Sequence, residues 1–421
     1  MAHGRAGSST GALARARAEL ERGVEEGLHY GAQLAVIHRG VSMELCVGEA
    51  APGRPMRKDD VLCWSSSVKP LVAILLAKLQ ERGALSFDDA VERFLPGFGT
   101  KGKSQVTLRH CLTHTAGLWA STLKMPEKKS PEEVLQHICQ QPLAEGWEPG
   151  RRCGYDSPAW YVLAGVAEAA AGAAPAVAGA AADAEGDAEG DAEGDAEASR
   201  FAELVKKEIF EPLGLRSSSI GMRSERRAEL EKAGRLASWR DEGENDEVAP
   251  LYQMSRCSTR PWTAIHEEQA AKVQFPCPAG NGRGPAQELC AVYASLLPGA
   301  VPERRLLRPD TVELLTSTAR RGLYDELQGT DTEWSLGFAV NCILSGRYAS
   351  AKAYGHGGSQ SSWAFADPAN DLAVCCLCNG KPGPEQHYRR VGAVSTAIYE
   401  DLNLCSSEPR SFTLPGGMGS F

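Results

Sequence analysis

The sequence contains no run of eighteen apolar residues, so no segment of it reads as a membrane-spanning helix. It has no surplus of basic charge either: 45 Lys and Arg stand against 54 Asp and Glu, for a net charge of −9. Much of that excess is local. Asp183–Glu197 holds eight acidic side chains and no basic ones, and the rest of the chain is near neutral. This balance argues against nucleic acid or an anionic membrane as the main partner. There is no Gly-x-Ser-x-Gly elbow, which speaks against an α/β-hydrolase, and no phosphate loop or dinucleotide fingerprint.

Cysteine is plentiful, at 13, but the number is odd, the residues are scattered, and no apolar signal segment precedes them. That pattern fits a thiol-reducing compartment better than a secreted disulfide framework, and the expected location is cytoplasmic. Ala6–Arg17 is rich in Arg and Ala and poor in acids. A mitochondrial or plastid transit segment is therefore the alternative. The overlapping stretch Gly11–Leu28 also reads as an ordinary first helix, with Leu13, Leu20, Val24 and Leu28 at helical spacing.

At 421 residues with 43% apolar and 24% charged residues, the chain is long enough for one large two-part domain or two domains. Gly31–Ala50 reads as a hairpin turning at Arg39-Gly40. Ser66–Arg82 reads as a buried helix, because its apolar positions cover more than one face, with Pro70 near its start and Gly83 beyond its end. Trp334–Ile343, Ser362–Ala366 and Asp371–Cys378 read as strands, and Tyr388–Leu402 as a closing helix. Strands at both ends with helices between predict an antiparallel sheet built from both termini and a helical region inserted in the middle. Ala169–Gly194 is Ala, Gly, Asp and Glu almost throughout. With nothing larger than Val to bury, residues 171–198 are expected to be a disordered acidic insertion, and the repeat Asp183–Ala198 within it to be dispensable for fold and activity.

The sharpest chemical feature is Ser66-Ser67-Val68-Lys69 at the start of the buried helix. Serine at i and lysine at i+3 share a helical face. A serine hydroxyl is a poor nucleophile without such a partner, and a helix N-terminus favours a developing oxyanion. By itself the tetrapeptide reads better as a serine helix cap followed by a solvated lysine. Two further segments tip the balance: Gly154-Tyr155-Asp156-Ser157 entering a helix, and Gly355-His356-Gly357-Gly358-Ser359 before a strand pair. Leu108–Leu118, containing Leu-Thr-His-Thr-Ala-Gly-Leu, lies between Lys69 and Gly154, and Pro212-Leu213-Gly214-Leu215 between Ser157 and Gly355.

In that order these segments resemble the β-lactamase-related serine hydrolases, which include class C β-lactamases, D-alanyl-D-alanine peptidases and family VIII-type carboxylesterases. The resemblance covers roughly Leu20–Leu402 outside the acidic repeat. It implies an α+β, β-lactamase-like fold over residues 11–421. In that division 11–75 and 285–421 form the sheet and helix part and 76–284 the helical part. It implies Ser66 as the acylated nucleophile and Lys69 as its activator. Tyr155 would be the proton shuttle, its phenol pKa lowered by cations such as Lys69. His356, with Gly357 and Gly358, would stand in the place of the third-motif lysine. The backbone N–H groups of Ser66 and Ser359 would form the oxyanion hole.

The sequence departs from the family pattern at two places. Ser157 replaces the second-motif Asn, and His-Gly-Gly replaces Lys-Thr-Gly. The groups that would hold a substrate carboxylate are therefore reduced, and His356 is expected to act as a neutral hydrogen-bond donor. The expected activity is hydrolysis of small carboxylic esters or related acyl compounds, with no metal or organic cofactor and a small-molecule acyl substrate as the partner. The alternatives are a peptidase of the same machinery acting on small or D-amino-acid peptides, and a non-catalytic relative that binds or scaffolds. The loops of Ser217–Asn281 carry no readable substrate code, and the oligomeric state is not encoded either.

Two weaker signals have bland readings. His110 and His114 are spaced i, i+4, as metal ligands on a helix would be, but no third ligand is evident. Cys375, Cys376 and Cys378 sit in a predicted core strand and read as buried, inert thiols.

Overall fold

The computed structural model describes residues 11–119, 130–172, 199–237, 274–405, 408–415 and 418–421. The acidic repeat from residue 173 onward, the first ten residues and most of the Ser217–Asn281 loops lie outside the described residues.

Eleven strands are present among the described residues. They are β1 (Gly31–His38), β2 (Val41–Ala51), β3 (Arg54–Pro55), β4 (Leu62–Ser65), β5 (Ser219–Ile220), β6 (Gly282–Gly284), β7 (Glu333–Trp334), β8 (Ala339–Val340), β9 (Tyr354–Gly358), β10 (Ser362–Asp367) and β11 (Leu372–Cys378). Eight of them form one antiparallel sheet in the order β3-β2-β1-β11-β10-β9-β8-β7. Strand β1 pairs with β11 from Ala32 opposite Cys378 to His38 opposite Leu372, so the two ends of the chain close the sheet. A small sheet, β4-β6-β5, stands beside it.

The helices are α1 (Ala14–Glu25), α2 (Lys69–Glu81), α3 (Leu108–Leu112), α4 (Pro131–Gln140), α5 (Pro158–Ala170), α6 (Arg200–Val205), α7 (Glu211–Leu213), α8 (Ser224–Lys232), α9 (Ala286–Ala294), α10 (Pro309–Thr316) and α11 (Pro384–Asp401). The central strands are apolar on both faces because both are covered. Leu34, Val36, Val374 and Cys376 face a layer holding Leu13, Leu20, Val391 and Ile398 of the α1 and α11 region. Ala35, Ala373, Cys375 and Leu377 face a larger core with α9 and α2. Helices α3, α4, α5 and α6 complete that core around α2.

The helix expected from Ser66 to Arg82 opens differently. Ser66–Val68 is a single 3₁₀ turn, closed by the Lys69 N–H on the Ser66 carbonyl, and the α-helix begins at Lys69. The cause is Pro70. The α-helical bond to that carbonyl would come from residue 70, and proline has no N–H to give.

The strand expected over Trp334–Ile343 is likewise two short strands, β7 and β8, joined by a tight turn. At Gly337 (φ 98°) a β-carbon would lie 2.7 Å from the Ala73 methyl, so the chain dips onto α2 where a longer strand would have run straight.

Candidate active site

Ser66 sits where β4 turns into α2. The turn is strained: Ser65 has φ 47° and ψ −138°. Three contacts over-determine it. Ser362 Oγ donates to the Trp64 carbonyl at 2.6 Å, Ser67 Oγ donates to the His356 carbonyl at 3.0 Å, and the Trp64 indole donates to the Gly284 carbonyl at 3.0 Å. The end of β9 lies directly against this segment. A β-carbon on Gly358 would come within 2.5 Å of the Trp64 carbonyl oxygen, so only glycine permits the approach.

Lys69, one helical turn on, donates from Nζ to Ser66 Oγ at 2.9 Å and to the Ala279 carbonyl at 2.6 Å. The side chain is 1% exposed. Burial pulls its pKa down to about 7, against smaller upward pulls from Cys277 and Asp156. A lysine so placed is neutral in a large fraction of molecules near neutral pH, and a neutral amine accepts a proton.

Tyr155 completes the group. Its phenol interacts with the Ser66 side chain, and Lys69 Nζ lies 5.1 Å from the ring centroid. The phenol pKa is not lowered, as the resemblance implied, but raised, mainly by burial and further by the Asp325 carboxylate. The Ser66 side chain pulls the other way and is outweighed. The expectation fails because the cation meant to depress it is itself buried and easily deprotonated.

The ring is held on both sides. The His114 imidazole stacks on it at 4.5 Å, and Trp334 meets His114 edge-on at 4.7 Å. His114 Nδ1 accepts the Asp156 N–H at 3.0 Å. The Asp156 carboxylate accepts from the backbone of Leu118 (2.8 Å) and Ala159 (3.0 Å). Buried as it is, its pKa rises to about 7.

His356 lies near the same ring, 6.1 Å from Tyr155 and 5.5 Å from Trp334 between centroids. Its Nδ1 donates to the Gly357 carbonyl at 2.6 Å. Burial, then the Lys69 charge, lowers its pKa to about 3, so the imidazole is neutral. Its one proton is therefore spent on the backbone. Nε2 is a buried acceptor without a partner among the described residues. The expectation of a neutral donor is corrected: the tautomer that satisfies Gly357 presents an acceptor.

Ser66 and Lys69 thus share a hydrogen bond, with the Tyr155 and His356 rings beside them. Gly357 is half-buried within β9, and Ser359 lies one residue beyond that strand, exposed, at φ 39°. Ser157 is half-buried at the head of α5, and its side chain makes no capping bond. His110 caps α3, its Nδ1 taking the Thr107 N–H at 3.2 Å, whereas His114 lies beyond that helix under Tyr155. The two do not share a face. Among the described residues no three His, Cys, Asp or Glu side chains gather as metal ligands would. Cys375, Cys376 and Cys378 are all buried in β11.

Sequence reasoning missed the Ala279 carbonyl, the stacking role of His114 and the Asp325 carboxylate. Each reaches the site through tertiary contact; only His114 lies in a motif, and that motif does not reveal the stacking. Among the described residues no helix is long and apolar enough to cross a membrane.

The group as a whole pairs a hydroxyl with a buried amine and a buried phenol, which is the equipment for nucleophilic acyl chemistry. Comparison with known proteins points the same way. The family described as Beta-lactamase matches residues 16–397. The chain is similar to an esterase/beta-lactamase, LipL, of Mycobacterium tuberculosis, with 22% identity over 364 residues, 85% of this chain and 77% of that one. It is 25% identical to penicillin-binding protein 4* of Bacillus subtilis over 178 residues, 41% of this chain but only 33% of the relative's length. The crystal structure of a family VIII carboxylesterase superposes with a TM-score of 0.71 at 21% identity, covering 95% of this chain and 99% of that one. At that identity the superposition shows the fold.

Proposed function

The chain belongs to the beta-lactamase family, a family of serine hydrolases, and from that premise we propose that it hydrolyses small carboxylic esters through an acyl-enzyme at Ser66. The observation that carries this reading is the 2.9 Å bond between Ser66 Oγ and a Lys69 whose pKa is held at about 7.

In the neutral state Lys69 takes the Ser66 proton as Oγ attacks the ester carbonyl. The backbone N–H groups of Ser66 and Ser359, near the start of α2 and the end of β9, receive the developing oxyanion. Tyr155, close to both Ser66 and Lys69, passes the proton to the departing alkoxide. Its raised pKa keeps the phenol protonated, which suits it to donate rather than to abstract. Water then attacks the acyl-enzyme while the same groups run in reverse. No step calls on a metal or organic cofactor.

Preference for esters over carboxylate-bearing peptides follows from the third motif. His356 is neutral and offers a lone pair, and Gly357 and Gly358 offer no side chain, so nothing there draws an anionic group. Relatives carry both kinds of name, esterase and penicillin-binding protein. The twelve described cysteines are all unpaired, which supports a reducing compartment such as the cytoplasm.

The test is a panel of short p-nitrophenyl esters beside D-alanyl-D-alanine peptides, with Ser66→Ala as control. Ester turnover that vanishes in Ser66→Ala supports the reading. Peptide turnover exceeding ester turnover turns it to the peptidase alternative. Turnover that survives Ser66→Ala removes it.

A further inference from the structure

A buried ion pair stands behind the phenol and is not part of any motif. Asp325 lies in the loop between α10 and β7 and is fully buried. Its Oδ1 accepts three backbone N–H groups: Tyr155 at 3.1 Å, Leu327 at 3.0 Å and Gln328 at 2.8 Å. Its own backbone closes the same turn, with the Asp325 N–H on the Thr330 carbonyl at 2.7 Å and the Gly329 N–H on the Asp325 carbonyl at 2.8 Å. The second oxygen, Oδ2, accepts the Cys153 thiol at 3.4 Å and faces the Arg320 guanidinium at 3.9 Å.

Arg320 ties the pair to the rest of the site. It is 4% exposed and donates to the Thr113 carbonyl at 3.0 Å and to the Thr332 carbonyl at 2.9 Å. It also contacts Cys153 Sγ and lies 5.5 Å over the Trp334 ring. Three segments distant in sequence therefore meet on two charges. One leads to His114, one carries Tyr155, and one carries Trp334. All three side chains stack together.

Hydrophobic residues of similar volume would hold such a junction at least as firmly, because burying two charges offsets most of their attraction. What the pair supplies instead is register. A carboxylate with three N–H partners admits one placement of the Tyr155 backbone, where an apolar contact would admit several. We propose that Asp325, oriented by Arg320, is a positioning residue that fixes the Tyr155 phenol beside Ser66 and Lys69. The inference rests on the shuttle role given to Tyr155 above. Asp325 touches neither the nucleophile nor a reacting atom and acts only through Tyr155.

The experiment is a double-mutant cycle on a short neutral ester. Asp325→Asn and Asp325→Ser are each made in the wild-type chain and in Tyr155→Phe, with melting measured and kinetics run below each variant's own transition. The serine variant keeps one acceptor in a smaller volume and stands in if the asparagine variant does not fold. Misplacing a reacting group by an ångström costs on the order of 100-fold, so kcat in the wild-type background should fall about 10–100-fold with KM nearly unchanged. In the Tyr155→Phe background the same substitution should change kcat less than about threefold, because its effect has no phenol left to act through. An equal fold-loss in both backgrounds, or wild-type kinetics in both Asp325 variants, overturns the inference. Wild-type protein that acylates at Ser66 keeps the hydrolase reading intact in either event, and wild-type protein that does not acylate removes both.

Discussion

Burial acts on two regions of this molecule with the same physics and opposite chemical results. In β11, Cys375 and Cys376 are fully buried between the sheet's two cores, and burial raises both thiol pKa values well above the ordinary range. At the head of α2, Lys69 is as deeply buried, and its pKa falls to about 7. Desolvation favours the neutral form in both places. A neutral thiol is inert, but a neutral amine is a base. The difference between a core strand and a candidate active site therefore lies in which residue type is buried and what it touches. Cys375 is packed among Ala35, Ala373 and Leu377, while Lys69 touches a serine hydroxyl.

The comparison breaks first at Lys69. Lys69→Met keeps the length and removes the base, and ester turnover should drop about 10³-fold, within the usual range for a general base. Steady-state kinetics with a short nitrophenyl ester measure this, and a loss below tenfold would mean that another group activates Ser66. His356 should matter less. His356→Phe removes a partnerless acceptor from an aromatic setting, so turnover of neutral esters should stay within about tenfold of wild type. A loss beyond a hundredfold would show that Nε2 bonds the substrate. The smallest catalytic effect belongs to the sheet. Cys375→Ser should leave kcat/KM unchanged while lowering stability by about 1–3 kcal/mol, the cost of a buried hydroxyl without a partner. Thermal unfolding beside an activity assay separates the two, and a fall in activity without a fall in stability would assign that thiol a role denied to it here.

The parts of the architecture that were legible in the sequence are those set by local pattern. The β1–β2 hairpin follows from its period and its Arg39-Gly40 turn, and a sheet built from both termini follows from strand patterns at the two ends of the chain, although the pairing of β1 with β11 does not. The approach of Lys69 to Ser66 is local too, a matter of three residues' spacing. What was not legible depends on distant groups. The 3₁₀ opening of α2 needed the consequence of Pro70 to be carried one residue further back. The break at Gly337 reflects contact with Ala73, more than two hundred residues away in sequence. The tautomer of His356 follows from the geometry of a neighbouring carbonyl, and the upward shift at Tyr155 from burial that no motif records. Asp325 carries no sequence signal, because its Oδ1 partners are backbone groups, which are the same everywhere, and its Oδ2 partners Cys153 and Arg320 stand at no telling spacing from it.

The central claim is that Ser66 is acylated with Lys69 as a base that titrates near neutrality. Intact-mass and peptide-mass measurement of the rate at which a neutral fluorophosphonate phosphonylates the serine, with loss of fluoride, taken across pH, tests its nucleophile and base most directly. A base must be deprotonated to act, so the rate should rise with pH through a limb at about 7, with the adduct on Ser66 and the limb lost in Lys69→Met. An adduct on Ser65 or Ser67 while Ser66→Ala remains active, or a Ser66 rate that shows no limb between pH 6 and 8, would contradict it.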